Sequence, residues 1–123
     1  MCIRDRAKGF VIQGGNSDKL SMAKIKNSIG QFTIPAEFRP NLKHNYGSVA
    51  MARLWKGNPH KRSSPFEFYI VVDPKGAHHL NKEHTVIGKV TKGMDVAKKI
   101  SKINTDKSEW PIQDVYMKAK IIE

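Results

Sequence analysis

Five histidines, one cysteine, a serine pair and a glutamine set against twin glycines are the side chains of this 123-residue chain that invite a chemical reading. A metal needs ligands that converge. His44 and His60 fall in loops, His78 and His79 are neighbours, and His84 opens a strand. Adjacent residues on extended chain point apart, and neither a cysteine nor a carboxylate pair joins the histidines at zinc spacing, so no metal is expected. Ser63-Ser64 has no glycine elbow to activate a nucleophile, and Gly14-Gly15 leads into neither Gly-Lys-Ser nor a clear helix, so no phosphate cradle is expected. Trp55 and Trp110 each stand alone in a loop and read as hydrophobic pins, or in Trp55's case as an exposed contact. What remains is Gln13. It lies in Gly9-Phe10-Val11-Ile12-Gln13-Gly14-Gly15-Asn16, an apolar run stopped by glycines, where a short strand delivers the amide to a sharp turn. Strand alternation sets Phe10 and Ile12 on one face and Val11 and Gln13 on the other. Taken alone, the stretch is a hairpin arm with a solvated glutamine; the elements downstream change that reading.

Those elements are mostly strands. Residues 46–52 form one of small side chains, which admit another backbone or a ligand closely. Residues 66–72, dense in aromatic and β-branched types, form the strongest, and Asp73-Pro74-Lys75-Gly76 closes it as a turn. Residues 84–90 and 115–122 are two more, the last with Met117, Ala119 and Ile121 inward and Lys118 and Lys120 outward. The spacing of Val96, Ile100 and Ile103 predicts a helix over 94–103 with those three facing the core. Residues 16–31 and 104–110 read as loops, and 55–64 as a basic, turn-rich one. The fold class is mainly β, a barrel or sandwich.

Composition bounds the function. The length gives one domain, and 39% hydrophobic residues suffice for a core. No apolar run reaches the ~18 residues of a membrane span. A net charge of +11 raises the possibility of a nucleic-acid partner, but the lysines are dispersed as on a solvated face, so none is expected. Cys2 alone forms no internal disulfide, which leaves the compartment open between cytoplasm and periplasm.

In order along the chain stand Gly-Phe-Val-Ile-Gln-Gly-Gly at 9–15, Ile-Pro-Ala-Glu-Phe at 34–38, Ala-Met-Ala-Arg at 50–53, Phe-Tyr-Ile at 68–70, Leu80 followed four residues later by His84, Thr-Val-Ile-Gly-Lys-Val at 85–90, and Gly-Met-Asp-Val at 93–96. The ordered set resembles a cyclophilin-type peptidyl-prolyl cis-trans isomerase of the bacterial kind, from about Gly9 to the C-terminus. The resemblance implies an antiparallel β-barrel with one remaining capping helix, the first strands and first helix of the family domain being missing. It implies an activity on X-Pro bonds of peptides and unfolded chains, without cofactor and with a monomer expected. It carries Phe10, Gln13 and His84 over as catalytic, with Val11, Tyr69, Leu80, Ala52, Arg53 and Glu67 binding substrate.

Departures from the family pattern qualify this. Residues 1–6 read as a non-native scar ahead of a partial domain over 7–123. The family's catalytic arginine stands five residues before the phenylalanine, and that position here is Asp5. Arg6, one residue on, would face the other side of a strand. Glu67 replaces a glutamine, Tyr69 stands where phenylalanine is common, and His79 where some members have tryptophan. Two alternatives therefore stand beside catalysis: a non-catalytic module for proline-containing peptides and, more remotely, a basic RNA-binding protein.

Overall fold

The computed structural model describes residues 2–3, 5–7, 9–15, 32–103, 113 and 115–122. The loops read over 16–31 and 104–110 lie outside them. The elements in chain order are β1 (Cys2–Ile3), β2 (Asp5–Ala7), β3 (Val11–Gly14), β4 (Ser48–Met51), β5 (Phe68–Val71), a 3-10 turn at His78–Leu80, β6 (Val86–Lys89), α1 (Met94–Ser101) and β7 (Val115–Tyr116). Five strands make one antiparallel sheet in the order β2-β3-β5-β4-β6, while β1 pairs with β7. The segment set aside at the head of the chain thus contributes backbone to both sheets. Among the described residues no helix is long and apolar enough to cross a membrane.

β5 is the middle strand, and its alternation divides the interior. Tyr69 and Val71 turn to one side and join Ala50, Ala77, Leu80 and Val86, with Phe10 and Val11 packed against them. Ile70 and Val72 turn to the other, meeting Ile12, Val115, Met117 and the helix residues Met94, Ala97 and Ile100. A wholly buried side chain such as Val71 contributes about 1.5–3 kcal/mol through removal from water.

Three sequence expectations change here. Phe10 does not share a face with Ile12. Gly9, at φ +71°, makes a turn with Phe10, so alternation begins only at Val11 and both Phe10 and Val11 meet the first cluster. The helix buries Ala97 and Ser101 with Met94 and Ile100 beside them, while Val96 is 54% exposed. Ala97, having only a methyl group, lets the helix lie close on the sheet and rotates Val96 out. Finally, β7 stops at Tyr116, and Ala119 and Ile121 are exposed rather than inward. Its partner β1 is two residues long, and among the described residues no ladder holds the chain beyond that point.

Gly15 ends β3 at φ +105° with its α-carbon against the backbone of the segment entering β5. A methyl there would overlap the Phe66 carbonyl oxygen and come within 2.9 Å of the Glu67 α-carbon. Left-handed backbone costs a non-glycine residue ~1–3 kcal/mol before any clash. Gly15→Ala is therefore expected to lower folding stability by about 2–3 kcal/mol in urea titration; an unchanged midpoint would contradict this packing.

Candidate active site

One row of residues crosses the sheet on the face away from the helix. The register sets Gln13 opposite Tyr69, Tyr69 opposite Ala50, and Ala50 opposite Val86. Directly opposed residues share a face at about 4.5–5.5 Å between β-carbons. Ala50, fully buried and only a methyl, leaves room for the Tyr69 ring beside it. On the outer flank of the row, the backbone register puts Asp5 opposite Gln13.

The walls come from the loops. The turn Asp73-Pro74-Lys75-Gly76, with Gly76 N–H donating to the Asp73 carbonyl at 2.9 Å, folds the chain back into the 3-10 turn, which delivers Leu80 to the cluster. His79 stacks on Phe10 at 5.3 Å between centroids and 20° between planes. The Phe10 carbonyl accepts from Val72 N–H at 2.9 Å, which pins this aromatic pair to the end of β5. His84, 7% exposed, stands edge-on to Tyr69 at 5.4 Å. Its Nδ1–H donates to the Met51 carbonyl at 3.0 Å, the carbonyl being able only to accept. The structure therefore packs Phe10, Val11, Tyr69 and Leu80 into one apolar cluster, with His84 edge-on to Tyr69 and Gln13 opposite Tyr69 in the register.

Ala52, Arg53 and Glu67 border it differently. Ala52 N–H donates to the Glu67 carbonyl at 3.0 Å, and the Ala52 carbonyl accepts from Ser64 N–H at 2.8 Å. Both backbone groups of Ala52 thus tie β4 to the approach to β5. The Arg53 side chain is only 3% exposed. It donates to the Glu83 backbone carbonyl and, at 2.9 Å, to the Glu83 carboxylate, and its guanidinium lies 4.2 Å from the Trp55 ring centre. Lys61 bonds the same carboxylate at 3.0 Å, and this bond first, then Arg53, holds the Glu83 carboxyl below its ordinary range.

One residue, His44, escapes the sequence reading, and Trp55 takes the exposed place expected of it. Trp55, 62% exposed, sets its ring edge-on to His84 at 5.2 Å. His44 is wholly buried, its Nε2 2.7 Å from the Tyr69 hydroxyl and its Nδ1 2.9 Å from Asn81 Oδ1. A histidine beside a lysine in a polar loop carries no sequence signal of such a place. Among the described residues, no group of three or more His, Cys, Asp or Glu side chains converges as a metal would need.

The family model for cyclophilin-type peptidyl-prolyl cis-trans isomerases matches residues 3–121. The chain belongs to the cyclophilin family. Among similar cyclophilins, peptidyl-prolyl cis-trans isomerase CYP71 of Arabidopsis thaliana is 37% identical over 88% of this chain and 16% of its own length. Isomerase CYP18-2 of the same plant is 30% identical over 94% of this chain and 66% of its own. A cyclophilin of Cryptosporidium parvum, crystallised in the presence of the dipeptide Ala-Pro, superposes with a TM-score of 0.68 at 25% identity, over 92% of this chain and 68% of that one. The chain thus spans 16% of the first of these cyclophilins and 66% of the second.

Burial pushes both His44 and His84 below their ordinary pKa of 6.5. Burial outweighs the opposing bonds to Asn81 and to the Met51 carbonyl. The unfolded chain takes up these protons near pH 6.5 while the native state still refuses them, so stability is full above that pH and falls as pH drops toward the folded values. Thermal melts at pH 7.5 and 5.0 are expected to show a lower Tm at 5.0; equal midpoints would exclude two buried neutral imidazoles.

Proposed function

We propose that this domain speeds cis-trans rotation about X-Pro bonds in peptides and unfolded chains. The observation that carries this is the clustering of Phe10, Leu80 and Tyr69, with His84 edge-on to Tyr69 and Gln13 in register opposite it, which supports reading these residues as the walls of a cleft for the proline ring. Uncatalysed rotation faces a barrier of ~18–20 kcal/mol set by amide resonance. The twisted amide has lost that resonance and is less dipolar than either planar form. A dry cleft therefore disfavours the planar forms relative to the twisted one, and no covalent step or cofactor enters.

In this reading the proline ring sits against Phe10, Val11, Leu80, Tyr69 and His84. Gln13 hydrogen-bonds the carbonyl of the bond that turns. With both backbone groups of Ala52 already engaged, the hold on the preceding substrate residue falls to the backbone of Arg53, beside Glu67. Gripping substrate on both sides of the bond is catalysis by positioning. In this reading one chain supplies every contact to the substrate.

The backbone register also favours a second reading, a module that binds proline peptides with little turnover. Position 5, opposite Gln13, carries an aspartate. A carboxylate cannot donate to the prolyl nitrogen as its lone pair localises; a guanidinium can. Hydrogen bonds to charged groups are worth ~1.5–3 kcal/mol, which is about ten- to a hundredfold in rate.

Exchange spectroscopy on an Ala-Pro peptide separates the two. This chain is expected to bind the peptide saturably and to speed exchange only weakly, and Asp5→Arg to raise exchange at least about tenfold further without tightening binding to match, whereas saturable binding with no acceleration in either protein leaves the binding module. Failure of both proteins to bind would end the proline-peptide reading. In a Trp110→Phe background, peptide binding should also change Trp55 emission, because that ring borders the cleft at His84; constant emission at saturation would place the peptide elsewhere.

A further inference from the structure

A tyrosine on the wall of the proposed cleft poses a problem that phenylalanine does not. Its hydroxyl must find a partner, and if it turned into the cleft it would bring a polar group against the ligand. Here the partner lies behind the wall, and the direction of every proton in the chain of bonds follows from one group that can only donate. The His44 backbone N–H donates to Asn81 Oδ1 at 2.8 Å, which fixes that atom as the amide oxygen. The same oxygen stands 2.9 Å from His44 Nδ1, so Nδ1 carries a proton and donates as well. The neutral ring then has its lone pair on Nε2, 2.7 Å from the Tyr69 oxygen, and the hydroxyl must donate to it.

His44 is itself held. Its carbonyl accepts from Ala77 N–H at 2.8 Å, and Gly76, at φ +80°, lets the chain pass where a β-carbon would come within 2.6 Å of that carbonyl. Burial keeps the His44 imidazole neutral and raises the Tyr69 hydroxyl far above its usual range, so the donor stays a donor. The rings of His44 and Tyr69 lie 16° from parallel, and His84 meets both edge-on.

We propose that His44 is a positioning residue for the proline cleft: by accepting the hydrogen bond of the Tyr69 hydroxyl it draws the polar end of this side chain inward, so that only ring carbon faces the substrate. This rests on the proposed cleft. It explains how a tyrosine serves at this wall, and it makes His44 and Tyr69 a coupled pair rather than two independent contributors.

The test is a set of three variants, His44→Phe, Tyr69→Phe and both together, with the dissociation constant for Ala-Pro peptide followed by amide shifts. His44→Phe is expected to weaken binding about tenfold, because the hydroxyl loses its acceptor and turns toward the ligand. Adding Tyr69→Phe should recover most of that loss. A purely structural histidine would lower Tm in both proteins without such recovery, so a double variant as weak as His44→Phe, or a His44→Phe that binds normally, overturns the role. Long-range nitrogen spectra supply a readout independent of peptide and of a foldable His44→Phe. Native His44 should show the Nδ1–H tautomer, and its Nε2 resonance should move in Tyr69→Phe; an Nε2–H tautomer or an unmoved resonance overturns the proposal. If the native chain binds no proline peptide while these spectra are as expected, the cleft reading has failed and the positioning role falls with it. Lost recovery with intact native binding removes the positioning role alone.

Discussion

The site depends on the register of β5. This strand has a hydrogen-bonded neighbour on each side, β3 and β4, and Tyr69 has a residue of each directly opposite it. A slip of one residue on either side would carry Tyr69 to the helix face and bring Ile70 into the cleft. Two features oppose the slip. Gly15 admits no side chain where β3 meets the backbone entering β5, and Ala52 binds that same approach through both its N–H and its carbonyl. The row Gln13, Tyr69, Ala50 is thus positioned by backbone bonds before any side chain takes part.

Side chains then close the walls. The Arg53–Glu83 pair is more than a surface ion pair because its arginine is almost fully covered, stacked on Trp55 and bonded to the backbone of the segment that leads into His84. Exposed ion pairs contribute ~0–1 kcal/mol, whereas a buried guanidinium left without its carboxylate costs several times that. The pair therefore acts as a clasp between the loop after β4 and the loop before β6. Trp55 and His84, which those loops carry, meet as a consequence.

Much of this was legible along the chain, and the reason is local. Phe68–Val71 is dense in aromatic and β-branched residues, so its strand could be read directly. Gln13 and the glycines after it announced a strand end. What escaped reading depended on partners remote in sequence. His44 takes its place from Tyr69, 25 residues on, and from Asn81, 37 residues on, and nothing in Lys43-His44-Asn45 reports either. Period-two alternation extended back toward Gly9 puts Phe10 on the wrong face, because Gly9 and Phe10 form a turn. Ile121 alternates perfectly with its lysines and is still exposed, since alternation marks a strand only where a second strand lies alongside.

The tie between Tyr69 and His44 bears on how such a cleft could turn a bond as well as hold it. Contacts to the proline ring are equally available to both planar forms and to the twisted one, so they raise affinity without lowering the barrier. Acceleration must come from what changes as the bond rotates: the carbonyl sweeps, and the prolyl nitrogen gains a lone pair. On the proposed reading Gln13, at the end of a strand whose neighbour is Tyr69, is the group able to follow the carbonyl. The nitrogen would have to be answered from position 5, in register with Gln13 on its other side, where the aspartate of this chain has no proton to offer. A hydroxyl free in the cleft would compete for both, offering a proton to the carbonyl in its planar positions and so favouring the ground state. Drawing that hydroxyl back to His44 removes the competitor. The apolar wall is then a condition for rotation as well as for binding.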